Sequence, residues 1–489
     1  MNRNIGAKPF AFMAAILLLV SWLRLEPGTG PQQVATGPAA EGPLTEEVVD
    51  PALTGEVGAL DPASPEAAAA RSAAATKARA ATGTATAGKD PSGFECAPGK
   101  NGGATDTGVS ANRIRLATTA VLDGPAKSLL EDSPVAMKAV IDKVNRAGGI
   151  CGRLLKLTVV NDSFRDDSGL RIIKNFIDEG YFALPVVPSA EGLGSAITSG
   201  EISKAKIPVI GTDGMRKEQY ADPYVWPVAS ATVTAMRVMA KYGSTKRDAK
   251  SFALVWDGKY KFGLEGKEAF VEQVKALGGD MKVDIRLDPD ASSYGNQVNE
   301  FNGVCGDGKC DMVAMLLLPE TATKWLKGNP QGALKYTAGA QTLFTDGFAD
   351  DCVRQIGNGC QGFAVWTGYN PPIGPLASLP GVSTYVNDVT AVKSTIDVNN
   401  QFIEGAYLGM SVFVEALKRV GPNVTRERLK AVMDAMTFES DLASALTWKP
   451  GQHTANVRSQ SFSVTTTGGV FRGWSNENTG FVLDPAHGG

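Results

Sequence analysis

The chain has 489 residues, of which 43 % are apolar and 20 % are charged, and its formal net charge is −3. This length is too great for one ordinary hydrophobic core and predicts two or three compact units with the composition of a globular protein. Because no basic cluster occurs, a nucleic-acid partner is not expected. The two histidines, His453 and His487, are too few to favour a histidine-based zinc site or catalytic triad.

The N-terminus has the pattern of an export signal. Arg3 and Lys8 precede the apolar run FAFMAAILLLVSWL (10–23), as a basic n-region precedes an h-region. The run is shorter than the roughly 20 residues that comfortably span a bilayer. No lipoprotein cysteine or clean cleavage site follows it directly. Residues 1–26 are therefore predicted to be a signal peptide or an uncleaved anchor, with 10–25 as the tethering segment of an envelope or extracellular protein.

Residues 27–108 form a predicted disordered tether. They are dominated by Ala, Gly, Pro and Thr and contain almost no large apolar residues. Such a segment buries too little surface to offset the entropy of ordering the chain. We therefore expect a flexible connection between the export signal and the folded protein.

From about residue 109, short apolar strands alternate with helices. Ser133 and Pro134 predict the N-cap and first position of a helix that stops at Gly148. A second helix is predicted over 167–180. The predicted strands of this part are 113–120, 154–160, 181–188 and 206–211.

The same alternation resumes after residue 230. Helices are predicted over 231–243 and 263–279, and Thr425 is predicted to cap a further helix. The predicted strands are 251–257, 281–287, 311–319 and 341–347. Buried strands separated by helices indicate parallel sheets covered on both faces. Two such runs predict an α/β protein with two doubly wound, Rossmann-like lobes, whose ligand lies beyond the carboxyl ends of the strands.

Six cysteines in an exported chain predict three disulfides. Proximity along the chain favours the pairs Cys96–Cys151, Cys305–Cys310 and Cys352–Cys360. Cys151 has no neighbouring histidine or basic cluster that would activate a thiolate. We therefore interpret it as a structural crosslink that fixes the end of the tether to the first lobe.

Five stretches occur in the order in which a known family has similar motifs: AVIDKVNRAGGICGRLLKLTVVNDSFRD, VWDGKYKFGLEGKEAF, GCQGFAVWTGYNPP, YLGMSVFVEALKRVGPNVTRERLKAVMDAM and LTWKPGQHT. Together they resemble the type I periplasmic binding proteins, the Leu/Ile/Val-binding-protein-like receptors of ABC importers for branched-chain amino acids and amides. The likeness covers about residues 109–475. It implies two α/β lobes joined by a three-crossing hinge, with a ligand trapped between them by hinge closure.

The resemblance also implies lobe boundaries. The first lobe would comprise 109–230 with 346–445, and the second 231–345 with 446–485.

A ligand site follows from the same resemblance. In the branched-chain receptors a serine and an Ala-x-Thr motif bind the ligand carboxylate, and the matching positions here are Gly192, Asp213 and Met215. An acid at 213 would repel a carboxylate, so a cationic, amide or polyol ligand fits better. Tyr260 or Phe262 would supply an aromatic wall. The full implied ligand-binding set is Asp123, Ser128, Ser189, Glu191, Gly192, Ser195, Asp213, Met215, Tyr260, Phe262 and Glu320, with Glu320 contacting an amine.

Simpler interpretations stand beside these roles. Glu320 can complement the dipole at the start of its helix, and Asp213 can form an Asx turn. Tyr260 and Phe262 can pack at the edge of the lobe, and the serines of the first loop can merely turn the chain.

The sequence therefore predicts a monomeric, non-catalytic solute-binding protein that delivers a small polar solute, such as an amino acid or amide, to the membrane permease of an ABC importer. No cofactor or metal is expected. A ligand-sensing ectodomain for a membrane partner is the first alternative. A remote alternative is an α/β hydrolase or dehydrogenase, but the sequence shows no nucleophile–base pair for such an enzyme. The nearest dinucleotide loop, Gly192-x-Gly194-x-x-Ile197, only partly matches the fingerprint.

Overall fold

The computed structural model describes residues 100–330, 335–451, 453 and 459–477. The predicted export signal, nearly all of the predicted tether and Cys96 lie outside the described residues. No helix in the described part of the chain has the length and apolar character needed to cross a membrane.

Within these ranges the secondary structure follows the predicted alternation. The α-helices are α1 (Lys127–Leu130), α2 (Ser133–Arg146), α3 (Asp166–Asp178), α4 (Ala190–Thr198), α5 (Glu201–Ala205), α6 (Glu218–Ala221), α7 (Thr232–Lys246), α8 (Lys261–Ala276), α9 (Gly295–Cys305), α10 (Pro319–Lys327), α11 (Asp346–Ile356), α12 (Pro380–Val392), α13 (Gln401–Val420) and α14 (Arg426–Met433). The strands are β1 (Arg113–Ala120), β2 (Leu154–Asn161), β3 (Leu184–Pro185), β4 (Val209–Ile210), β5 (Val225–Trp226), β6 (Ser251–Asp257), β7 (Asp280–Leu287), β8 (Met312–Leu316), β9 (Tyr336–Gly339), β10 (Ala364–Thr367), β11 (Thr437–Ser440), β12 (Ala443–Thr447), β13 (Gln460–Thr467) and β14 (Val470–Asn476).

The first lobe is built on parallel strands. β1 pairs with β2, and β3, β4 and β5 form a second ladder. A single parallel bridge between Leu116 and Ala183 joins the two ladders, so the strands lie in the order β2-β1-β3-β4-β5. This order places a topological switch between β1 and β3, where ligands of doubly wound sheets bind.

The second lobe contains a seven-stranded sheet in the order β14-β13-β10-β9-β8-β6-β7. The pairs among β6–β10 are parallel. β13 adds antiparallel to β10, and β14 closes the sheet as a hairpin partner of β13. Residues of β6 and β8 are almost entirely buried, as expected for central strands with helices on both faces.

Close backbone contact fixes the first sheet against its long helix. Gly211 follows β4 with φ of 89°, and a Cβ there would lie 2.4 Å from the Cα of Gly409 on α13. Neither position has room for a side chain, because the two backbones already touch. The pair of glycines therefore sets the distance between the edge of the sheet and α13.

Several predicted elements need correction. Ser133 is the first residue of α2 instead of its N-cap, which is Asp132. The predicted strand 341–347 is wrong: Gln341–Leu343 is a 3₁₀ turn and α11 starts at Asp346, while the strand lies just before, in β9. Thr425 is confirmed as a cap, since its hydroxyl accepts a hydrogen bond from the Arg428 amide.

Two of the three predicted disulfides are confirmed. Cys305 and Cys310 are bonded, as are Cys352 and Cys360. Both lie in the second lobe, where each closes a short loop after a helix. The third pair involves Cys96 and so lies outside the described residues.

The lobe boundaries stay a prediction. The pairing of β10 with β9 favours a return to the first lobe after Thr367, later than the predicted residue 346.

Candidate functional site

The carboxyl ends of the parallel strands of both lobes carry most of the predicted ligand residues. Asp123 follows β1, and Asp213 follows β4. From the second lobe, Tyr260 follows β6 and Glu320 lies in the first turn of α10, after β8. Ends of parallel strands meet along one edge of a sheet, so these residues lie along the cleft between the lobes.

One predicted pair meets across the cleft. Ser128 Oγ of α1 donates a hydrogen bond to Glu320 Oε1 of α10 at 2.5 Å. The other oxygen, Oε2, is buried without a hydrogen-bond partner from the protein. Burial raises the pKa of Glu320, while the Ser128 hydrogen bond opposes that rise. Asp123 is exposed and accepts a hydrogen bond from Asn161 Nδ2 at 3.1 Å.

The predicted aromatic wall packs against a first-lobe ring. Tyr260 stacks on Phe262 with ring centroids 5.6 Å apart, and its edge meets Phe164 of the first lobe at 5.2 Å. All three side chains are buried. Tyr260 therefore lies at the lobe interface, and Phe262 is part of the apolar core behind it.

Glu191 lies in a buried ion pair. Its Oε2 is 3.1 Å from Arg216 Nη1, and each side chain is only 5 % exposed. Burial raises the pKa of Glu191 to about 7 despite the nearby guanidinium. A Cβ at Gly194 would lie 2.3 Å from Arg216 Cζ, so the glycine makes room for the arginine. Glu191 is thus occupied by a protein partner.

The same arginine begins a chain of charges that reaches the second lobe. Arg216 also pairs with Glu218. Glu218 Oε2 lies 3.0 Å from Lys261 Nζ at the start of α8. In addition, the Lys217 amide donates to Glu265 Oε2 at 2.9 Å. We call Arg216, Glu218, Lys261 and Glu265 the interlobe latch, because they join α6 and its preceding loop to α8.

The other predicted residues of the first-lobe loops lie in or near α4 and after β4. Gly192 lies where α4 crosses α3, and a Cβ there would be 2.7 Å from the Cα of Gly169. Ser189 is buried at the start of α4, and its Oγ has no hydrogen-bond partner from the protein. Ser195 is six residues later, about 9 Å further along the helix axis. Met215 is buried in the cluster that contains Tyr260.

A pocket lies beside Asp213, at the hinge side of the cleft, and is open in part to solvent. We call it the hinge pocket. Its polar lining residues are Ser133, Asp213, Tyr369 and Gln401, and its apolar ones include Val186, Pro188, Phe402 and Ala406. The sequence prediction identified only Asp213. Gln401 and Phe402 begin α13, and no local motif distinguishes them from ordinary helix residues.

Asp213 has one satisfied and one unsatisfied oxygen. Oδ1 accepts a hydrogen bond from the Met215 amide at 3.2 Å, which is the geometry of an Asx turn. Oδ2 is buried without a hydrogen-bond partner from the protein. Burial raises the pKa of this carboxyl to about 7, and only the backbone hydrogen bonds oppose the shift. The residue therefore has both the turn role and a free acceptor at the pocket.

A buried acid also lies at the end of one strand in each lobe. Asp162 follows β2 and accepts the Phe164 amide, and Asp257 ends β6 and accepts the Leu318 amide at 2.6 Å. Both acids lie in stretches that carry the family resemblance, but neither was among the predicted ligand residues. In the part of the chain that the structure describes, no group of three or more His, Cys, Asp or Glu side chains is arranged to hold a metal ion.

Comparison with known proteins identifies the family. The model of the periplasmic binding protein family matches residues 113–469. The chain belongs to the periplasmic binding protein family. The predicted family and the predicted two-lobed type I fold are thereby confirmed. This family consists of extracytoplasmic solute-binding proteins. None of the curated proteins matches this family member by sequence.

Solved structures of periplasmic binding proteins share the fold at low sequence identity. The fatty acid ABC transporter substrate-binding protein from Thermomonospora curvata is 16 % identical over 79 % of this chain and 96 % of its own, with a TM-score of 0.66. The leucine binding protein from Thermotoga maritima is 13 % identical over 74 % and 99 %, with a TM-score of 0.62. A solute-binding protein from R. palustris in complex with 4-hydroxybenzoate is 14 % identical over 76 % and 98 %, with a TM-score of 0.63.

Proposed function

We propose that this periplasmic binding protein captures a small polar solute between its lobes and delivers it to the permease of an ABC importer, without catalysing a reaction. The observation that carries the proposal is the hinge pocket. Asp213 follows β4, while Ser133 and Gln401 begin α2 and α13, and each of the three has a side-chain oxygen that lacks a hydrogen-bond partner from the protein. Buried polar groups of native proteins are nearly always satisfied, so a bound solute is the expected partner.

The relatives support the transport role. Proteins of similar fold are described as a fatty acid ABC transporter substrate-binding protein, a solute-binding protein of an ABC transporter in complex with 4-hydroxybenzoate, and a leucine binding protein. We propose that the chain acts outside the cytoplasm, as members of this family do. We also propose that it acts as a monomer. The predicted ligand set narrows to residues that still offer atoms to a solute, foremost Asp213 and Glu320.

Native mass spectrometry of the freshly purified protein tests the proposal. We expect a co-purified small molecule that is released on unfolding and raises the melting temperature when added back. A ligand at about 100 times its dissociation constant should stabilise the folded protein by about 2.7 kcal/mol. Turnover of the released compound by the purified protein, without net binding, would contradict the proposal.

A further inference from the structure

The hinge pocket has a chemical bias that is independent of the family to which the chain belongs. Ser133 and Gln401 are 1 % and 3 % exposed. Ser133 Oγ, Gln401 Oε1 and Asp213 Oδ2 are all buried without hydrogen-bond partners from the protein. Two of these three atoms, Gln401 Oε1 and Asp213 Oδ2 when ionised, only accept hydrogen bonds. The unpartnered atoms of the pocket therefore need hydrogen-bond donors from a ligand more than they need acceptors.

A second carboxylate lies directly behind this wall. Glu404 is one helical turn from Gln401 on α13, is 0 % exposed, and has both carboxylate oxygens unpartnered. Tyr369, which lines the pocket, has its pKa raised by burial and then by the nearby Glu404 and Asp213 carboxyls. Both acids are thus close to one ring. Among the described residues that line the pocket, none is lysine, arginine or histidine.

The charged surroundings of Asp213 are acidic on each element packed against it. Tyr220 faces it from α6, and the pKa of Tyr220 is raised by burial and by the Asp213 and Glu265 carboxyls. Tyr369 faces it from the loop after β10, with Glu404 beyond it on α13. No cation contributes to the pKa of Asp213. A carboxylate ligand at this position would meet repulsion and find no compensating cation among the lining residues.

We infer that the hinge pocket binds the ammonium group of an organic cation that carries no neighbouring carboxylate. This inference rests on the proposed solute-binding function and names its substrate class. An ammonium group supplies three donors and a positive charge, which matches the unpartnered acceptors of Asp213 and Gln401. Val186, Pro188 and Phe402 also line the pocket and would contact a short apolar substituent.

Three matched series of probes test the inference: n-alkylamines, the corresponding carboxylates and the corresponding primary amides, of two to six carbons. The readouts are the melting temperature and calorimetric affinity at pH 7 in the full-length protein. We expect the amines to stabilise the protein and the carboxylates to have no effect. Asp213→Asn should weaken amine binding at least tenfold, whereas Asp178→Asn, which changes an exposed aspartate at the end of α3, should not.

Equal or stronger binding of the carboxylates or amides would overturn the inference while leaving the proposed function intact. Undiminished amine binding by the Asp213 variant would place the cation elsewhere and would also overturn it. Stabilisation by none of the three series would overturn the inference as well. The proposed function would fail with it only if native mass spectrometry also found no bound small molecule.

Discussion

Arg216 Nη1 lies 3.1 Å from Glu191 Oε2 in a buried ion pair, and the same guanidinium reaches Glu218. One cation therefore neutralises two acids from different segments of the first lobe. Removing one partner of a buried pair leaves uncompensated charge in a poorly solvated place. The rest of the interlobe latch depends on this arginine, because it orients Glu218 toward Lys261.

Arg216→Leu should strongly destabilise the protein. We expect a loss of about 3–5 kcal/mol in the free energy of unfolding, because the buried Glu191 loses its counter-charge and Glu218 keeps only Lys261. Urea unfolding followed by circular dichroism measures the loss. Arg165→Leu is the control, since Arg165 pairs with Asp167 on the open surface and its loss should leave the midpoint unchanged. Equal midpoints for wild type and Arg216→Leu would show that the pair contributes nothing.

Lys261→Met should favour the open form. The Lys261–Glu218 pair is partly exposed, and such pairs contribute about 0.2–1 kcal/mol. The solute-free protein should show a larger radius of gyration in solution scattering. The apparent affinity for the co-purified solute should fall by up to about fivefold, the same free energy expressed as a binding ratio. Lys250→Met, which removes an exposed pair within the second lobe, should alter neither quantity.

Asp213 should make stability depend on pH. Its pKa is raised to about 7 in the folded protein, whereas in the unfolded chain it is about 3.9. Between these values the folded state binds more protons, so stability falls as pH rises. Asp213→Asn should remove a slope of at most about 1.4 kcal/mol per pH unit. The variant should therefore be more stable than wild type at pH 8 and similar to it at pH 4, in the absence of solute.

The Asp178→Asn variant is the reference for that comparison, because the side chain is exposed. A stability profile of Asp213→Asn that parallels wild type from pH 4 to 8 would mean that the Asp213 carboxyl is ionised throughout.

Gly409→Ala should disrupt the contact between β4 and α13. The added methyl would lie 2.4 Å from the Gly211 carbonyl oxygen, and overpacking of this kind costs about 1–3 kcal/mol. Gly303→Ala is a matched control on α9, because nothing lies within 4 Å of its added Cβ. That change should stabilise the protein by about 0.5–1 kcal/mol through helix propensity. Thermal unfolding of the two variants should therefore shift in opposite directions.

Loss of the Cys352–Cys360 bond should cost about 2–2.5 kcal/mol, because it releases a short closed loop in the unfolded chain. The double variant Cys352→Ala/Cys360→Ala, unfolded in urea, measures this. Wild-type stability of the double variant would show that the bond at the end of α11 does not contribute to the stability of the fold.

The long, buried strands and capped helices were predictable from sequence because their patterns are local. β1 and β6 have the predicted bounds, and the cap at Thr425 was identified from three neighbouring residues. The predicted strands 181–188 and 206–211 were too long, since β3 and β4 span two residues each. β9 was missed, since the more apolar segment after it suggested the strand.

The candidate site was predictable only in part. Family positions located Asp213, and Ser128 and Glu320 meet as cleft residues. They did not identify Gln401 or Ser133, because long-range folding brings these residues to Asp213 and no spacing in the chain encodes that proximity. Glu191 and Gly192 were taken as ligand positions, yet their surroundings are an arginine and a glycine of the same lobe. Residue type alone could not distinguish a solute from a protein neighbour.

The pairing of β10 with β13 has a consequence for biosynthesis. Thr367 lies opposite Gln460, so the edge of β10 has no covering strand until almost the entire polypeptide has emerged. An uncovered strand edge is a template for intermolecular pairing. A nascent chain stalled before residue 460 would therefore present an aggregation-prone edge. The parallel sheet of the first lobe, whose last strand β5 ends at Trp226, can form long before the sheet of the second.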